Sequence, residues 1–509
     1  MKIKNQPVIL RGIFLALVSV VFLLLFSPAT SPLSQYYGTD SAFFMLVGQG
    51  MTKGLLPYRD FFDMKGPVLF LIEYIGQLIC YGRTGAFIMQ FINLFVCLCI
   101  IDVTYRSCIG RVRFSFVYEF AFMLPFLLLA VSTFEGGNLT EEYSLPWLLL
   151  AVYFALKYLK QSKESSNYRH PLKLGFYYGF AFGILALIRI TNAAMIGAII
   201  LTISLGLLVK KEFKNLLLNG AAFIAGCIAA FAPFCLFYAW HGLLGEMLGQ
   251  VFIFGVQYSA EASFSEKLTY LMNRYGEFLW WALLPLAVTL VYWLKDWRYW
   301  VLSLSSFLLY FAAVTMGNAY GHYFTLGLPN LIMGCSLLLG QLSGKEKLPF
   351  HRWDIRKLAL LVLLVWAISL QGWHIQWWWD ASKYEISTTR AGAVSDNILN
   401  VLEIKSQIPE SDYDSVYAYG IGSCSNWYAQ ADLFPPHRYC DWQEHYIALN
   451  PNIGDELTVW LQSESPKWIV IPTDYTIAPQ QIAEAINSHY HVYTQNDAYV
   501  LLASNGSGY

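Results

Sequence analysis

The chain has 509 residues, of which 56% are hydrophobic and 13% are charged. Because a soluble protein has about 25% charged residues, this composition excludes an ordinary soluble enzyme. Apolar runs of about 17–25 residues recur along the chain, and a helix of that length crosses a bilayer. The net charge of −1 gives no indication of nucleic-acid binding. The composition therefore predicts a polytopic membrane protein.

Apolar segments follow one another over most of the chain. The first is interpreted as a retained helix rather than a cleaved signal peptide, because it is long and no small-residue cleavage site follows it. The segments are predicted near residues 8–26, 67–82, 85–103, 114–132, 143–158, 174–188, 192–209, 216–238, 277–294, 299–316, 322–342 and 357–373.

The segment 67–82 decides the predicted topology. If it crosses the membrane, the basic loops that follow it lie outside; if it is a re-entrant or interfacial helix, they are cytoplasmic, as the positive-inside tendency requires. It also carries Glu73, which is costly in a lipid-facing helix. We therefore predict about eleven spans, a cytoplasmic N-terminus and an extracytoplasmic C-terminus. The basic loops lie near 106–113, 157–173, 210–214 and 345–357.

The tail from about residue 374 has a different character. Its short apolar runs DSVYAYG, PKWIVIP and AYVLLAS have the composition of strands. Alternation of helix and strand predicts a small α/β domain. Cys424 and Cys440 lie in this tail, and a disulfide between them is one open alternative if the tail is extracytoplasmic. Helices are predicted near 390–407, 454–463 and 478–488.

The predicted fold class is an all-α polytopic membrane protein with a small C-terminal α/β extracytoplasmic domain. The transmembrane domain is predicted to contain an outer loop and a re-entrant helix. The predicted ranges are 1–373 for the transmembrane domain, 28–66 for the outer loop, 67–82 for the helix and 374–509 for the α/β domain.

The segment Tyr36–Val68, which covers most of the predicted outer loop, holds an unusual number of charged residues for this chain. The sequence TDSAFFMLVGQGMTKG predicts an amphipathic helix with Asp40 near its N-cap. Asp40 either only caps this helix, or it acts as a general base toward an acceptor hydroxyl or as a metal ligand. The spacing leaves these alternatives open.

The second half of the loop reads PYRDFFDMKGP. Asp60 and Asp63 are three residues apart and share a face if they are helical. Lys65 precedes a Gly-Pro turn that lets the backbone approach a ligand. Arg59 and Lys65 are therefore candidates for binding a phosphate, with Asp63 beside them. The alternative is a local network of ion pairs that fixes the loop.

Other candidates lie at the outer ends of predicted spans. Of Glu141 and Glu142, one is expected to be a solvated cap and the other to orient a substrate or pair with Lys65. Arg189 lies in the turn of LALIRITN, where it either snorkels to the interface or contacts a phosphate in a cleft.

His322 and Tyr323 are candidates for the same reason, because they begin a span on the outer side. A single histidine is more often a hydrogen-bonded structural residue than a ligand. Asp102 and Arg106 form an i,i+4 pair that we interpret as structural. The chain has no GxxxxGK[ST], GxSxG or HExxH motif, which argues against ATP-driven transport and common hydrolase chemistry.

These motifs resemble the GT-C glycosyltransferases of the protein O-mannosyltransferase and aminoarabinose transferase type. The features in common are a first span, an outer loop with an early aspartate, the pattern PYxDxxDxKGP and a re-entrant helix. The segments EEYSLP, LALIRITN and GHYFTLGLP are also similar to those of bacterial members. The resemblance covers about residues 1–373. KGP stands here in place of KPP, which leaves the substrate open.

The resemblance implies an inverting transfer of a sugar from a polyprenyl-phosphate donor to an acceptor hydroxyl at the outer face of the cell membrane. Asp40 would be the base, and Lys65 and Arg189 would stabilise the leaving phosphate. A divalent metal held by Asp40 and Glu142 is a further hypothesis. No nucleotide or redox cofactor is expected.

The acceptor is expected to be a glycan, a lipid or a protein. The main alternatives are a transporter or flippase, or a polymerase, of lipid-linked sugars. A transporter typically has broken spans with mid-membrane charges and repeat symmetry. Here the acidic residues lie mainly at outer span ends and no internal repeat is visible, which favours the transferase.

Overall fold

A computed structural model describes residues 8–109, 116–260, 262–276, 279–316, 320–343, 376, 379–390, 394–463 and 465–507. The chain divides into two compact units. What we call the helical unit comprises Met1–Ser27, Gln90–Trp240 and Ala262–Ala381. What we call the α/β unit comprises Pro28–Met89, His241–Glu261 and Ser382–Tyr509.

Most helices of the helical unit are long and apolar. They are α1 Val8–Phe26, α4 Arg83–Ile109 (which begins in the α/β unit), α5 Phe116–Thr133, α6 Thr140–Ser165, α7 Leu172–Ala186, α8 Ala194–Val209, α9 Phe213–Trp240, α12 Phe264–Tyr275, α13 Leu279–Ala282, α14 Leu284–Val291, α15 Trp297–Met316, α16 Leu328–Ser343 and a helix α17 over 379–390. Short 3₁₀ helices cover Ile190–Ala193 and Gly321–Gly327.

Six helical stretches in the described part of the chain are long and apolar enough to cross a membrane, by length and composition. The protein is therefore a multi-pass membrane protein, although the count of eleven spans is not confirmed. In its described part, the predicted span 277–294 contains two helices, α13 and α14, because the helix is interrupted at Leu283 and Pro285 lies in the first turn of the second helix. The predicted span 357–373 and the boundary near 374 lie outside the described residues. The six stretches are Ile9–Phe26, Arg83–Cys108, Ile190–Val209, Phe213–Trp240, Trp297–Met316 and Gly321–Gln341.

Helices α7 and α9 pack against each other at unusually close range. Gly175, Gly179 and Gly183 recur every fourth residue on α7, the spacing that lets two membrane helices approach. A Cβ atom at Gly179 would collide with the carbonyl oxygen of Phe223 on α9. The small residues therefore set the distance between these helices.

The α/β unit joins the outer loop and the segment 241–261 to the tail. Its helices are α2 Asp40–Thr52, α3 Pro67–Ile79, α10 Leu244–Leu248, α11 Gly255–Ser259, α18 Asp396–Ser406, α19 Cys424–Ala431, α20 Gln443–Leu449, α21 Pro451–Gln462 and α22 Gln480–His489. A π-helix covers Gly249–Phe254, and a 3₁₀ helix covers Glu410–Ser415.

The tail forms a four-stranded sheet with the order β1-β2-β4-β3. Strands β1 and β2 are parallel, and the other neighbours are antiparallel. The predicted runs DSVYAYG, PKWIVIP and AYVLLAS are three of these strands, which confirms the predicted fold class of the tail. The strands are β1 Val416–Ala418, β2 Trp468–Pro472, β3 Tyr490–Gln495 and β4 Tyr499–Ser504.

The outer loop contributes to the hydrophobic core of the tail. Phe62 from the loop packs its ring 5.0 Å from Phe254 and 5.2 Å from Tyr446. The backbone N–H of Phe62 donates to the carbonyl of Arg438 at 2.9 Å. A buried aromatic ring contributes about 1.5–3 kcal/mol by leaving water. These contacts fix the loop against the α/β fold.

Helix α3 has 13 residues. At 1.5 Å per residue it rises about 20 Å, which is less than the ~30 Å core of a bilayer. A helix of this length does not cross that core, and its re-entrant or interfacial placement stays a prediction. Helix α2 packs on it, since Gly48 lies against Glu73. Helix α2 is buried along nearly its whole length, so the prediction of an amphipathic helix was wrong there.

Candidate functional site

Asp40 is the first residue of α2, and Thr39 is its N-cap. No side-chain hydrogen bond from Thr39 caps the helix, and Asp40 itself is partly buried. Its carboxylate lies in the electrostatic field of a second acid. Burial raises the pKa of Asp441 to about 7, and the charge of Asp40 adds to that rise. Asp40 therefore belongs to a group of acids.

Asp441 was not predicted from the sequence as a site residue. It is 3% exposed. Its carboxylate accepts hydrogen bonds from the hydroxyl of Ser425 and from the backbone N–H of Cys424 at 2.9 Å and of Trp442 at 3.1 Å. These bonds favour the charged form and work against the effect of burial. Asp441 is thus held in one orientation near Asp40.

Three carboxylates act on the phenol of Tyr446, and we call them the acidic cluster: Asp40, Asp63 and Asp441. Burial raises the pKa of the Tyr446 phenol, and the charges of all three carboxylates add to the rise. Like charges within a few ångströms destabilise one another's ionised forms. Among these three carboxylates, burial raises the pKa of Asp441, and the charge of Asp40 contributes to that rise.

The turn that leads from Tyr58 to Lys65 is tightly constrained. Tyr58 has φ +71°, a left-handed conformation that a residue with a bulky side chain rarely adopts. Its N–H donates to the carbonyl of Phe61 at 2.8 Å, and its hydroxyl donates to the carbonyl of Lys65 at 2.8 Å. Such strain persists only where the surrounding contacts hold it.

Gln250 supplies one of those contacts from the π-helix Gly249–Phe254. Its amide nitrogen donates to the carbonyl of Tyr58 at 3.0 Å, and its amide oxygen accepts from the N–H of Asp63 at 3.2 Å. The same nitrogen donates to Glu246 at 3.2 Å. Sequence reasoning missed Gln250, because it lies 187 residues away from Asp63. The only local signal is a polar residue in an apolar run.

Lys65 and Arg59 lie in different surroundings, although both were predicted to bind phosphate. The ammonium of Lys65 is 3.8 Å from Asp63 and is 16% exposed. The guanidinium of Arg59 is half exposed and pairs with the neighbouring Asp60 at 2.8 Å. The alternative of a local ion-pair network therefore describes Arg59 well. Lys65 keeps the partly buried position that a phosphate contact requires.

In the helical unit, Arg189 contacts Glu141. One guanidinium nitrogen is 3.2 Å from the Glu141 carboxylate, which is buried and also accepts from the hydroxyl of Thr140 at 2.7 Å. The guanidinium lies over the ring of Tyr323, 3.9 Å from its centroid. Arg189 has an extended backbone just before the 3₁₀ helix Ile190–Ala193. The snorkelling alternative is therefore wrong, since this side chain is paired and covered.

Glu142 is not a solvated cap, as one of these two glutamates was expected to be. It is buried, and its two oxygens accept hydrogen bonds from the backbone N–H of Leu139 at 3.2 Å and from the amide of Gln90 at 2.6 Å. The Gln90 oxygen in turn accepts from Ser27 at 2.8 Å. Glu142 satisfies the backbone N–H of the N-cap residue Leu139 at the start of α6 and, through Gln90 and Ser27, links three segments.

His322 contacts an acid that the sequence did not point to. Its Nδ1 is 2.7 Å from the Glu135 carboxylate. The ring of His322 also packs edge-on against Tyr323 at 4.4 Å. His322 and Tyr323 are thus linked to both Glu135 and Arg189. The pair Asp102 and Arg106, 2.7 Å apart, is the structural ion pair that was expected.

The residues present do not fit the predicted metal site. The oxygens of Glu142 are both engaged by hydrogen bonds. Among the described residues, no group of three or more His, Cys, Asp or Glu could hold a metal ion. Cys424 and Cys440 are free thiols in buried positions rather than a disulfide.

The predicted site residues therefore form two groups, one in each compact unit. Asp40, Arg59, Asp63 and Lys65 lie in the α/β unit, and Glu141, Glu142, Arg189, His322 and Tyr323 lie in the helical unit.

The chain was compared with known proteins. No protein-family model and no curated protein matches it. Among solved structures it is similar to ArnT from Cupriavidus metallidurans bound to undecaprenyl phosphate, with 12% identity and a TM-score of 0.56 over 98% of both chains. The apo form of that protein gives 12% identity and a TM-score of 0.55 over 97% of both chains.

An Archaeoglobus fulgidus oligosaccharyltransferase, in complex with Zn and sulfate, is more distant. Its TM-score is 0.45 at 13% identity, over 95% of this chain and 72% of that one. The likeness to ArnT extends from end to end of both chains. It confirms the fold that the loop motifs predicted: this chain has the fold of ArnT, which is the GT-C fold.

Proposed function

We propose that this chain is an integral membrane glycosyltransferase. It moves a hexose or pentose from a polyprenyl-phosphate donor to an acceptor hydroxyl on a glycan, lipid or protein. The observation that carries the proposal is the end-to-end likeness to ArnT, whose structure holds undecaprenyl phosphate. The chemistry takes place at the outer face of the cell membrane, with the N-terminus in the cytoplasm and the C-terminus outside.

Asp40 is the general base of the proposed reaction. The acceptor hydroxyl gives its proton to the Asp40 carboxylate while its oxygen forms a bond to the anomeric carbon. The bond from that carbon to the phosphate oxygen breaks, and the polyprenyl phosphate leaves with the electron pair. A single displacement of this kind inverts the configuration at the anomeric carbon. The partly buried position of Asp40 within an acidic cluster supports this role.

Lys65 and Arg189 are the proposed contacts of the leaving phosphate. A fixed cation lowers the barrier because negative charge grows on the phosphate as the bond breaks. Lys65 is held beside Asp63 at 3.8 Å, and Arg189 is held by Glu141 at 3.2 Å. Both side chains are mostly buried, so less water competes with the phosphate. No step of the proposal passes through a metal ion.

The other members of the site are assigned supporting roles. Gln250 and the Tyr58 hydroxyl hold the turn on which Lys65 lies. His322 and Tyr323 position Arg189 through ring contacts. Preorganised contacts of this kind avoid the cost of ordering side chains during the reaction.

The proposal is tested by transfer of a radiolabelled sugar from polyprenyl phosphate in membranes that contain wild-type protein or Asp40→Asn. The substitution keeps the size of the side chain and removes its ability to take up a proton. We expect transfer to fall by about 10²–10⁴-fold, the usual contribution of a general base. Incorporation of label into lipid, glycan and protein fractions also identifies the acceptor class.

Asp60→Asn is the matched control, because Asp60 lies in the same loop and pairs with the exposed Arg59. It should retain transfer within a few-fold of wild type. Full transfer by Asp40→Asn would remove Asp40 as the base. Absence of transfer by the wild type from any polyprenyl-phosphate sugar would contradict the proposed activity itself.

A further inference from the structure

A second polar site lies in the helical unit, and none of its lining residues is assigned to the reaction. Helices α7, α8 and α9 enclose a cavity of about 110 Å³. Its walls are mostly apolar, and four polar side chains line it: those of His170, Tyr178, Ser204 and Asn219. The lining includes His170, Tyr178, Ile203, Leu207, Leu216 and Phe223.

The protonation of His170 follows from its neighbours. His170 is 2% exposed, and its Nδ1 is 2.7 Å from the amide oxygen of Asn219. The amide nitrogen of Asn219 donates to the carbonyls of His170 at 3.1 Å and Asn215 at 2.9 Å, which fixes the orientation of this amide. The oxygen of Asn219 therefore accepts a proton from Nδ1, and the Nε2 of neutral His170 carries a lone pair.

Two polar atoms of the cavity lack protein partners. The Nε2 of His170 and the hydroxyl of Tyr178 are buried and have no hydrogen-bond partner among the residues that the structure describes. Their rings stack with centroids 5.7 Å apart. Buried polar atoms in native proteins nearly always have a partner, because leaving one unpaired is costly. The pair therefore indicates a ligand that both donates and accepts.

The chemistry of the pair selects an uncharged group that both donates and accepts, and a hydroxyl is such a group. A hydroxyl donates to Nε2 and accepts from the tyrosine hydroxyl, and it carries no charge into an apolar space. A charged group would lose its hydration without meeting a counter-ion there. The volume has room for a few heavy atoms, since water occupies about 30 Å³ in the liquid.

Cations surround the loop that carries His170. The ammonium of Lys210 lies 4.2 Å from the ring centroid of Tyr168, and Arg169 pairs with Glu212 at 3.3 Å. Lys173 and Lys211 are exposed nearby in the chain. Basic groups at the ends of membrane helices attract anionic lipid headgroups.

We propose that this cavity binds an anionic phospholipid whose headgroup ends in free hydroxyls, as in phosphatidylglycerol. A headgroup hydroxyl contacts His170 and Tyr178, and the phosphate stays among the cations of the adjoining loops. The site does not depend on the proposed transferase activity. It binds lipid in the membrane in which the protein resides.

The test uses the full-length purified protein, with phosphatidylglycerol and phosphatidic acid of the same acyl chains as probes. Native mass spectrometry counts bound lipid, and thermal unfolding measures the stabilisation. We expect wild type to retain phosphatidylglycerol at several-fold lower lipid concentration than phosphatidic acid, which has the phosphate but lacks the hydroxyls. Tyr178→Phe removes one oxygen and keeps the ring, so it should abolish this preference.

Tyr177→Phe is the matched control, because the Tyr177 hydroxyl donates to the carbonyl of Trp147 at 2.9 Å and does not line the cavity. It should keep the preference for phosphatidylglycerol. Equal binding of the two lipids by wild type would overturn the proposal, as would an unchanged preference in Tyr178→Phe. A Tyr178→Phe variant that is more stable without lipid and binds lipid as wild type does would show that the cavity holds only water.

Discussion

The two groups of candidate residues differ in how their charges are compensated. In the helical unit, Arg189 already has a carboxylate partner at 3.2 Å and an aromatic cover at 3.9 Å. In the α/β unit, Asp40, Asp63 and Asp441 influence the same tyrosine. The first arrangement fixes one cation in place. The second places three carboxylates near one phenol, and burial favours the protonated form of one of them, Asp441.

The difference separates two tasks that a transferase needs. A phosphate contact must be rigid before the donor arrives, because ordering it later costs free energy. A general base such as a carboxylate takes up a proton during the reaction. Its surroundings must therefore tolerate the protonated form. Four changes test whether the two groups divide the work in this way.

The largest effect is expected at Arg189. Arg189→Met leaves Glu141 buried without its cation and should lower the free energy of unfolding by about 3–5 kcal/mol. Adding Glu141→Gln should restore most of that stability and leave transfer low, because the phosphate contact is still missing. Denaturation and transfer are measured on the same preparations. A double variant with normal transfer would show that Arg189 is only structural.

Lys65 and Arg59 form a comparison within one loop. Lys65→Met should reduce transfer by about 10²–10³-fold, as expected for a cation that stabilises a developing charge. Arg59→Met should change transfer by less than about threefold, because exposed ion pairs contribute little. Arg59 is half exposed and pairs with its neighbour Asp60. Equal losses in both variants would contradict separate roles for these cations.

Asp441 is expected to give the protein a distinct dependence on pH. Its pKa rises from 3.8 to about 7 on folding, so the folded state binds more protons than the unfolded state between these values. Stability should therefore fall as pH rises from about 4 to about 8 and stay level above, by about 2 kcal/mol between pH 5 and 7.

The Asp441→Asn variant has no proton to bind at this position. Its stability should lack this fall between pH 5 and 7, as followed by unfolding of the purified protein at each pH. If the free energy of unfolding of the wild type instead rises between pH 5 and 7, by as much as it was expected to fall, Asp441 is not a neutral, buried acid. Subtracting the Asp441→Asn curve from the wild-type curve, with both recorded under the same conditions, removes the contributions of other titrating groups.

The smallest effect is expected at Gln250. Gln250→Leu removes the hydrogen bonds to Tyr58 and Asp63 and should cost about 1–3 kcal/mol of stability. Transfer should fall by roughly ten- to a hundredfold, because Lys65 loses its fixed position. Gln257→Leu, on the exposed side of the next helix, is the control. A loss of stability without any loss of transfer would limit Gln250 to folding.

Periodicity and strand composition predicted much of the fold. The runs that became β1, β2 and β4 are apolar and largely buried, so their composition is distinctive. Strand β3 was missed, since YHVYTQ is polar and mostly exposed at the edge of the sheet. The span 277–294 was predicted as one helix, because hydropathy averages over the break before Pro285.

The site was predictable only where its residues are close in sequence. Lys65 and Asp40 could be found within one loop. Asp441 and Gln250 could not, because their relation to that loop arises from packing between distant segments. Glu142 was misjudged as a possible solvated residue for a similar reason, since Gln90 buries it through a contact 52 residues away.

As a transferase, the chain must break the bond between the sugar and the polyprenyl phosphate. The most direct measurement uses liposomes that contain purified protein and a polyprenyl-phosphate sugar labelled differently in the sugar and the phosphate. We expect wild type to release free polyprenyl phosphate in step with transfer of the sugar to an added acceptor, and Asp40→Asn to release almost none. Movement of the doubly labelled lipid across the bilayer with both labels still joined would contradict this account and identify a flippase.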